Sequence, residues 1–237
     1  MEPLEKNRIY QIDCIDGVQS IPTGSVKLIV ADPPYFLGMT HNGQKGSFVD
    51  LAICKPFYKI LFNEYKRILR PDGEVYFFTD WRGYAFYYPI FDGILGCRNL
   101  IVWDKVAGPG SYYSFQHEFI MFASVDNAIT KKGGNVWRSK GFSAGAKATN
   151  GEKVHGTQKT IEIIEKIVVE NSKPGDLVVD TFGGSGTTAV VCRKTGRDYI
   201  VFELDEENFA TAEKRAALSV QNTMFNQRED INGKTGT

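Results

Sequence analysis

Short apolar runs alternate with stretches of helical periodicity along most of the chain, and this alternation restricts the fold more than any other feature. Val26-Lys27-Leu28-Ile29-Val30-Ala31 is closed by Asp32-Pro33-Pro34, and Leu177-Val178-Val179 runs into Asp180. Runs this apolar fit strands buried on both faces, which predicts an α/β, doubly wound, mostly parallel sheet with helices on each side. Further strands are expected at Ile9–Ile12, Glu74–Thr79, Leu100–Trp103, Glu118–Ala123 and Tyr199–Phe202. Leu51, Phe57, Ile60, Leu61, Tyr65, Ile68 and Leu69 fall at helical spacing, and Pro71-Asp72-Gly73 stops that helix. Other helices are expected over 81–95, 160–169, the residues after Gly186, and 205–219. The polar sequence from Asn222 reads as a frayed tail.

A chain of 237 residues with 16 Phe and 11 Tyr can bury a full core, so disorder is excluded for most of it. No apolar run reaches the length of about 18 residues needed for a membrane span, and the first eight residues lack an apolar signal region. Cys14, Cys54, Cys97 and Cys192 are scattered, which argues against structural zinc and disulfides and fits a reducing cytoplasm. His41, His117 and His155 are equally dispersed, so no metal is expected.

Lys plus Arg equals Asp plus Glu, 28 against 28, which excludes a histone-like binder but not a local basic face. Such a face is expected in the Gly-, Ser- and Lys-rich residues 124–156. Lys131, Lys132, Arg138, Lys140, Lys147 and Lys153 there oppose only Asp126 and Glu152. Lys131, Lys132, Arg138, Lys140 and Lys147 are the candidate nucleic-acid contacts, on a segment expected to order on binding; a solvated loop is the plain alternative.

Gly184-x-Gly186 lies between a strand and a helix, where glycines permit a tight turn and close approach of a ligand. A side chain at Gly186 is expected to push into that ligand's path. Glu203, at the end of the next strand, can accept from ribose hydroxyls. Gly184-x-Gly186-x-x-Ala189 also satisfies a relaxed dinucleotide fingerprint, and a merely structural turn is the alternative. Two features favour another adenosine cofactor over a nicotinamide. Only one strand follows the turn. Asp180 just before it would attract an amine and repel a pyrophosphate.

Asp32-Pro33-Pro34-Tyr35 follows a buried strand and, by itself, reads most simply as a rigid turn with an aromatic plug. As a tool set, the two prolines remove N–H donors and leave carbonyl acceptors. Asp32 adds a carboxylate and Tyr35 a stacking face. Acceptors that converge on an exocyclic amine would hold its hydrogens and leave its lone pair for an electrophilic methyl group.

The pair Asp32-Pro33-Pro34-Tyr35 and Phe182-x-Gly184-x-Gly186 resembles the signatures of S-adenosylmethionine-dependent DNA amino-methyltransferases. The permuted order, catalytic motif first with a basic segment between, is similar to the beta group. Ile12-Asp13-Cys14, Arg67 to Glu74, Val102-Trp103-Asp104-Lys105, His117-Glu118-Phe119-Ile120 and Gly156-Thr157-Gln158-Lys159 agree with it. Thr160 stands where the family often has proline, and the recognition segment is short.

The resemblance implies a Rossmann-like methyltransferase domain over 1–221: a catalytic half 9–123, a recognition insertion 124–156 and a cofactor half 157–221. Residues 222–237 form the tail. It implies Asp32, Pro33, Pro34 and Tyr35 as catalytic residues. It implies Asp13, Cys14, Asp32, Lys159, Asp180, Phe182, Gly184, Ser185, Gly186, Thr187, Thr188 and Glu203 around S-adenosylmethionine. Within that set, Asp180 takes the methionine ammonium and Glu203 the ribose. Thr187 and Thr188 take the carboxylate or serve only as a cap, and Asp13 has a plain strand-end turn as its alternative. His41, Lys105 and His117 are candidates for the wall of a DNA cleft, and Trp103 is expected in the core.

The expected reaction is methyl transfer to N6 of adenine in double-stranded DNA after base flipping, without a metal, with a homodimer as a further expectation. The rivals are cytosine N4, an RNA target, and a catalytically silent nucleic-acid-binding subunit.

Overall fold

The structure, a computed structural model, describes residues 4–34, 40–41, 44–45, 51–108, 110, 112–126, 132–140 and 160–232. The chain begins with β1 (Arg8–Gln11), α1 (Cys14–Gln19), β2 (Val26–Ala31), β3 (Thr40–His41), β4 (Gln44–Lys45), α2 (Leu51–Ile68), β5 (Leu69–Thr79), α3 (Trp81–Leu95), β6 (Cys97–Asp104), β7 (His117–Ser124) and β8 (Val136–Arg138). The chain continues with α4 (Ile161–Asn171), β9 (Leu177–Asp180), α5 (Thr187–Thr195), β10 (Asp198–Glu203) and α6 (Glu206–Asn232).

Eight strands form one sheet in the order β1-β10-β9-β2-β5-β7-β6-β8, and β3 pairs with β4 separately. From β1 to β5 all neighbours are parallel. β7 is antiparallel to both β5 and β6, and β8 is parallel to β6. The sheet is thus mostly parallel, as the apolar runs predict. The pairing of β2 with β9, Val30 opposite Asp180, joins the two halves of the sequence.

Successive side chains of a strand point to opposite faces. Ile29 and Ala31 of β2 and Leu177 and Val179 of β9 enter a core with α1, α2 and α3. Leu28, Val30 and Val178 enter a second core with α4, α5 and α6. Each fully buried Val, Leu, Ile or Phe contributes about 1.5–3 kcal/mol. In the first core Phe62 and Phe77 meet edge to face at 5.2 Å, and Tyr58 and Tyr87 at 4.7 Å. Trp103 is buried, as expected.

Besides α1, β3 and β4, which the sequence reading does not include, β5, β8 and α6 depart from it. β5 begins at Leu69, directly after α2, and Pro71-Asp72-Gly73 forms a bulge: Val26 pairs with Leu69 but Leu28 with Glu74. Arg70 ties this bulge to Asp176 at 2.8 Å, and Lys27 to Asp72 at 3.2 Å. β8 orders part of the segment read as a mobile loop: Trp137 stacks obliquely on Tyr76 at 6.3 Å, and Trp103 Nε1 donates to Ser139 Oγ at 2.9 Å. α6 continues past Asn222, where Gln and Glu support a helix despite their polarity.

Candidate active site

Parallel strands deliver their C-terminal ends to one edge, and ligands of open α/β sheets bind there. Four adjacent strands end at or just before a carboxylate: Asp13 after β1, Glu203 on β10, Asp180 on β9 and Asp32 after β2. The register puts Gln11 opposite Glu203, and both Val201 and Val30 opposite Asp180. At about 4.8 Å per strand, the row spans about 14 Å.

Asp180 is buried, and each of its oxygens accepts one hydrogen bond, Oδ1 from the Phe182 N–H at 3.0 Å and Oδ2 from Thr188 Oγ1. Burial pushes its pKa up to about 7; Thr188 and the Phe182 N–H oppose that rise, and nearby Asp32 and Glu203 add to it. The site is thus short of positive charge and suits a cationic ligand group. Glu203 is also raised by burial; its Oε2 accepts the Gly184 N–H at 2.6 Å and its Oε1 the Asp205 N–H at 2.9 Å. Among the described residues, each of these carboxylate oxygens keeps a second lone pair for a ligand.

The glycines divide the work of the turn. Gly184 has φ +50°, and a Cβ there would meet nothing within 4 Å among the described residues. Gly186 has φ +77°, and its Cβ would lie 2.8 Å from Ala212 Cβ and 2.9 Å from Ala212 Cα. The expectation that a side chain at Gly186 meets ligand is therefore corrected: it meets α6. Gly183, which the sequence motif leaves out, is equally tight, with its Cβ position 2.4 Å from Val201 Cγ1.

Thr188 is committed to Asp180, and Thr187 is buried beside it at the start of α5. Ser185 is held from behind by Arg215 Nη1 of α6, which donates to its carbonyl and, at 2.6 Å, to its hydroxyl. Phe182 is half-buried against the first core. Asp13 caps α1, its Oδ1 accepting the Ile15 N–H at 2.8 Å. Cys14 follows it, buried, its thiol pushed up to about 12 by burial.

Asp32 is half-buried, Pro33 buried and Pro34 exposed. Tyr35, Lys131, Lys147 and Lys159, and the side chain of His41, lie outside the described residues.

Two residues that sequence reasoning missed complete the site. Arg215 carries no motif. Thr160 begins α4, makes no capping bond, and is buried with its Oγ1 lacking a partner among the described residues. Because α4 leads through a short turn into β9, its N-terminus returns to the edge of Asp180. An orphaned buried hydroxyl at such a place fits a ligand's polar group.

The basic segment is split by β8. Lys132 pairs with Glu74 at 2.5 Å, donates to Asn171 Oδ1 at 2.7 Å and lies over Phe122. Glu74 is five residues before Thr79, about 17 Å back along β5, so the structure does not bring Lys132 to the site. Arg138 and the exposed Lys140 emerge at the site edge; Arg138 pairs with Asp104 at 3.0 Å and stays 72% exposed. Lys105 is bound to Glu118 at 2.9 Å, and His117 lies exposed beside Phe119.

The family model for N6 and N4 DNA methylases matches residues 26–132 and 125–214. The type II methyltransferase M1.MboII of Moraxella bovis is 31% identical over 249 residues, spanning 86% of this chain and 94% of its own. The chain belongs to the DNA amino-methyltransferase family. Two solved structures share the methyltransferase fold. M1.HpyAVI bound to S-adenosylmethionine has a TM-score of 0.65 at 24% identity, over 88% of this chain and 98% of that one. The cytosine-N4-specific PvuII DNA methyltransferase has 0.69 at 17%, over 90% and 87%.

The cofactor of this methyltransferase is S-adenosylmethionine, and the residues present fit it. Among the described residues, the open space at Gly184, the cation-seeking Asp180 and the unpartnered Thr160 hydroxyl match an adenosyl group that carries an amino acid. No helix among the described residues is long and apolar enough to cross a membrane, and no group of three His, Cys, Asp or Glu among them could hold a metal ion.

Proposed function

We propose that this methyltransferase acts on N6 of adenine in double-stranded DNA, on a base turned out of the helix. The observation that carries the reading is the place of Asp32: it is the side chain after β2, next in the row to Asp180, and close enough to act on that carboxylate. When bound, S-adenosylmethionine supplies the electrophilic methyl group. Asp32 accepts hydrogen from the target amine and localises the lone pair on nitrogen. Pro33 and Pro34 contribute no N–H that would compete for that lone pair. Asp180 would hold the methionine ammonium and Glu203 the ribose hydroxyls, two anchors on strands β9 and β10 beside the strand that carries Asp32. Tyr35 supplies the stacking face for the base. Because a paired adenine hides its amine, the base must leave the stack. Arg138 and Lys140 then lie at the edge that faces the duplex, and a second copy of the chain would form the opposite wall.

Mass spectrometry of DNA digested from a methylation-deficient host that expresses the chain is expected to yield N6-methyladenine. N4-methylcytosine alone would overturn the adenine assignment, for which the aspartate of Asp32-Pro33-Pro34-Tyr35 is the support. Mapping the modified positions gives the recognition sequence.

Cofactor binding should also move a proton. Asp180 has a folded pKa raised from 3.8 to about 7, so the free protein keeps a proton there that the unfolded chain releases. Its contribution is full at low pH and is lost as pH rises through about 7. An ammonium placed on Asp180 favours the charged form, so binding near pH 6.5 should release up to about one proton. Calorimetry in two buffers of different ionisation enthalpy measures this. Asp180→Asn should abolish the release and weaken binding at least about tenfold; wild-type release in that variant would remove the ammonium from Asp180.

A further inference from the structure

The hairpin between β6 and β7 carries none of the residues assigned to the cofactor. Residues 106–116 carry no charged side chain, yet Tyr112 is 96% and Tyr113 90% exposed, with Phe115 at 49%. Two adjacent aromatic rings left in water are surface that a partner can cover.

The hairpin is a built element. A Cβ at Gly108 would stand 2.1 Å from the Phe115 carbonyl oxygen, and one at Gly110 2.0 Å from that of Tyr113. The two arms approach backbone to backbone, which only glycine permits. Val106 has φ 69°, a costly conformation for a β-branched residue. It is held there by its N–H on Asp104 Oδ1 at 2.8 Å and by Gln116 Nε2 on its carbonyl at 3.2 Å. The ion pairs of Lys105 with Glu118 and of Arg138 with Asp104 fix the root.

The root also has a defined place. Phe119 pairs with both Thr79 and Val102, and Asp104 pairs with His117, so the hairpin leaves the sheet at the edge where β2 delivers Asp32. β7 and β6 lie two and three strands from β2, about 10–14 Å along that edge. Gly110 is six residues beyond Asp104, a reach of at most about 20 Å. The offset from Asp32 is comparable to the width of a DNA major groove, about 12 Å.

We propose that Tyr112 and Tyr113 are a DNA-contacting aromatic pair that stacks on the bases beside the target and fills the gap the extruded base leaves. This rests on the reading of a flipped base in duplex DNA. The lack of charge argues for bases over phosphates, which are gripped by Lys, Arg and N–H groups. Aromatic faces stack on any base, and apolar side chains wedge open base steps. Both tyrosines act as positioning residues, since they keep the target out of the stack and touch no reacting atom.

The test uses the full chain and a duplex oligonucleotide that carries the mapped site. A second duplex lacks the base opposite the target, so the target is already unpaired. The double variant Tyr112→Ala/Tyr113→Ala should melt like the wild type, because both rings are exposed. Transfer to the intact duplex should fall at least about tenfold, the scale of losing one stacked base. Transfer to the unpaired target should stay within about threefold of the wild type. The rise in 2-aminopurine fluorescence at the target position should be lost, and Tyr112→Phe/Tyr113→Phe should restore both signals, since stacking needs the ring and not the hydroxyl. Unchanged transfer to the intact duplex, or an equal loss on both duplexes, overturns the proposal and leaves the pair as a surface for another partner. A wild-type chain that methylates neither duplex would instead overturn the reading of the function on which the proposal rests.

Discussion

Asp32→Ala is expected to lower methyl transfer by at least about a thousandfold while cofactor affinity stays within about threefold. Losing one preorganised group that acts on the reacting centre typically costs about a hundred- to a thousandfold, and a group that handles the moving proton costs as much. Asp32 fills both roles in this reading, because the amine must shed a proton as it gains the methyl group. Affinity should survive for an electrostatic reason. Asp32 pushes the pKa of Asp180 upward, so its removal leaves Asp180 more readily ionised and no worse a partner for an ammonium. Asp32→Asn separates charge from shape: it keeps an acceptor oxygen but adds donors, and should recover only part of the rate. Single-turnover transfer with calorimetric titration of the cofactor checks both halves. Near-normal turnover in the alanine variant would remove Asp32 from the chemistry.

Much of this site is legible in the sequence because its parts are local. β2 spans Val26–Ala31 and α3 Trp81–Leu95, as the apolar run and the helical spacing predict. Asp32 follows an apolar strand and Asp180 ends one, and parallel strands bring such ends to one edge. What the sequence could not show depends on distant residues. β8 has three residues and one pairing partner, too few for a period to emerge amid Gly, Ser and Lys. Lys132 looks like its basic neighbours, and only the fold reveals Glu74 and Asn171 around its ammonium. Arg215 sits on α6, 30 residues from the Ser185 it holds, with nothing local to mark it. Thr160 stands out in the sequence only as a departure from the family's proline, and its role emerges from a buried hydroxyl with no partner among the described residues.

The two motif glycines should fail in different ways when replaced. Gly186→Val is expected to destabilise the fold itself. A β-branched residue at φ +77° is strained by about 1–3 kcal/mol. Its Cβ would also lie 2.8–2.9 Å from Ala212, where both the side chain and the α-carbon of α6 must shift. Overpacking of this kind costs about 1–3 kcal/mol more. The sum, about 2–6 kcal/mol, is a large part of the 5–15 kcal/mol that typically holds a domain together. For a chain of this size it corresponds to a fall in Tm of about 4–24 °C. Cofactor affinity should fall with it, because Ser185 and Thr187 are held by Arg215 of the same displaced helix. Gly184→Ala is the contrasting case. Its φ of +50° costs about 1–2 kcal/mol, but its Cβ enters open space. Tm should therefore drop by only a few degrees. If the cofactor fills that space, affinity should fall at least about tenfold. Thermal melts of both variants, with and without S-adenosylmethionine, distinguish the two. A Gly186→Val chain that melts like the wild type would show that α6 does not pack against the turn. A Gly184→Ala chain that binds like the wild type would place the cofactor away from Gly184.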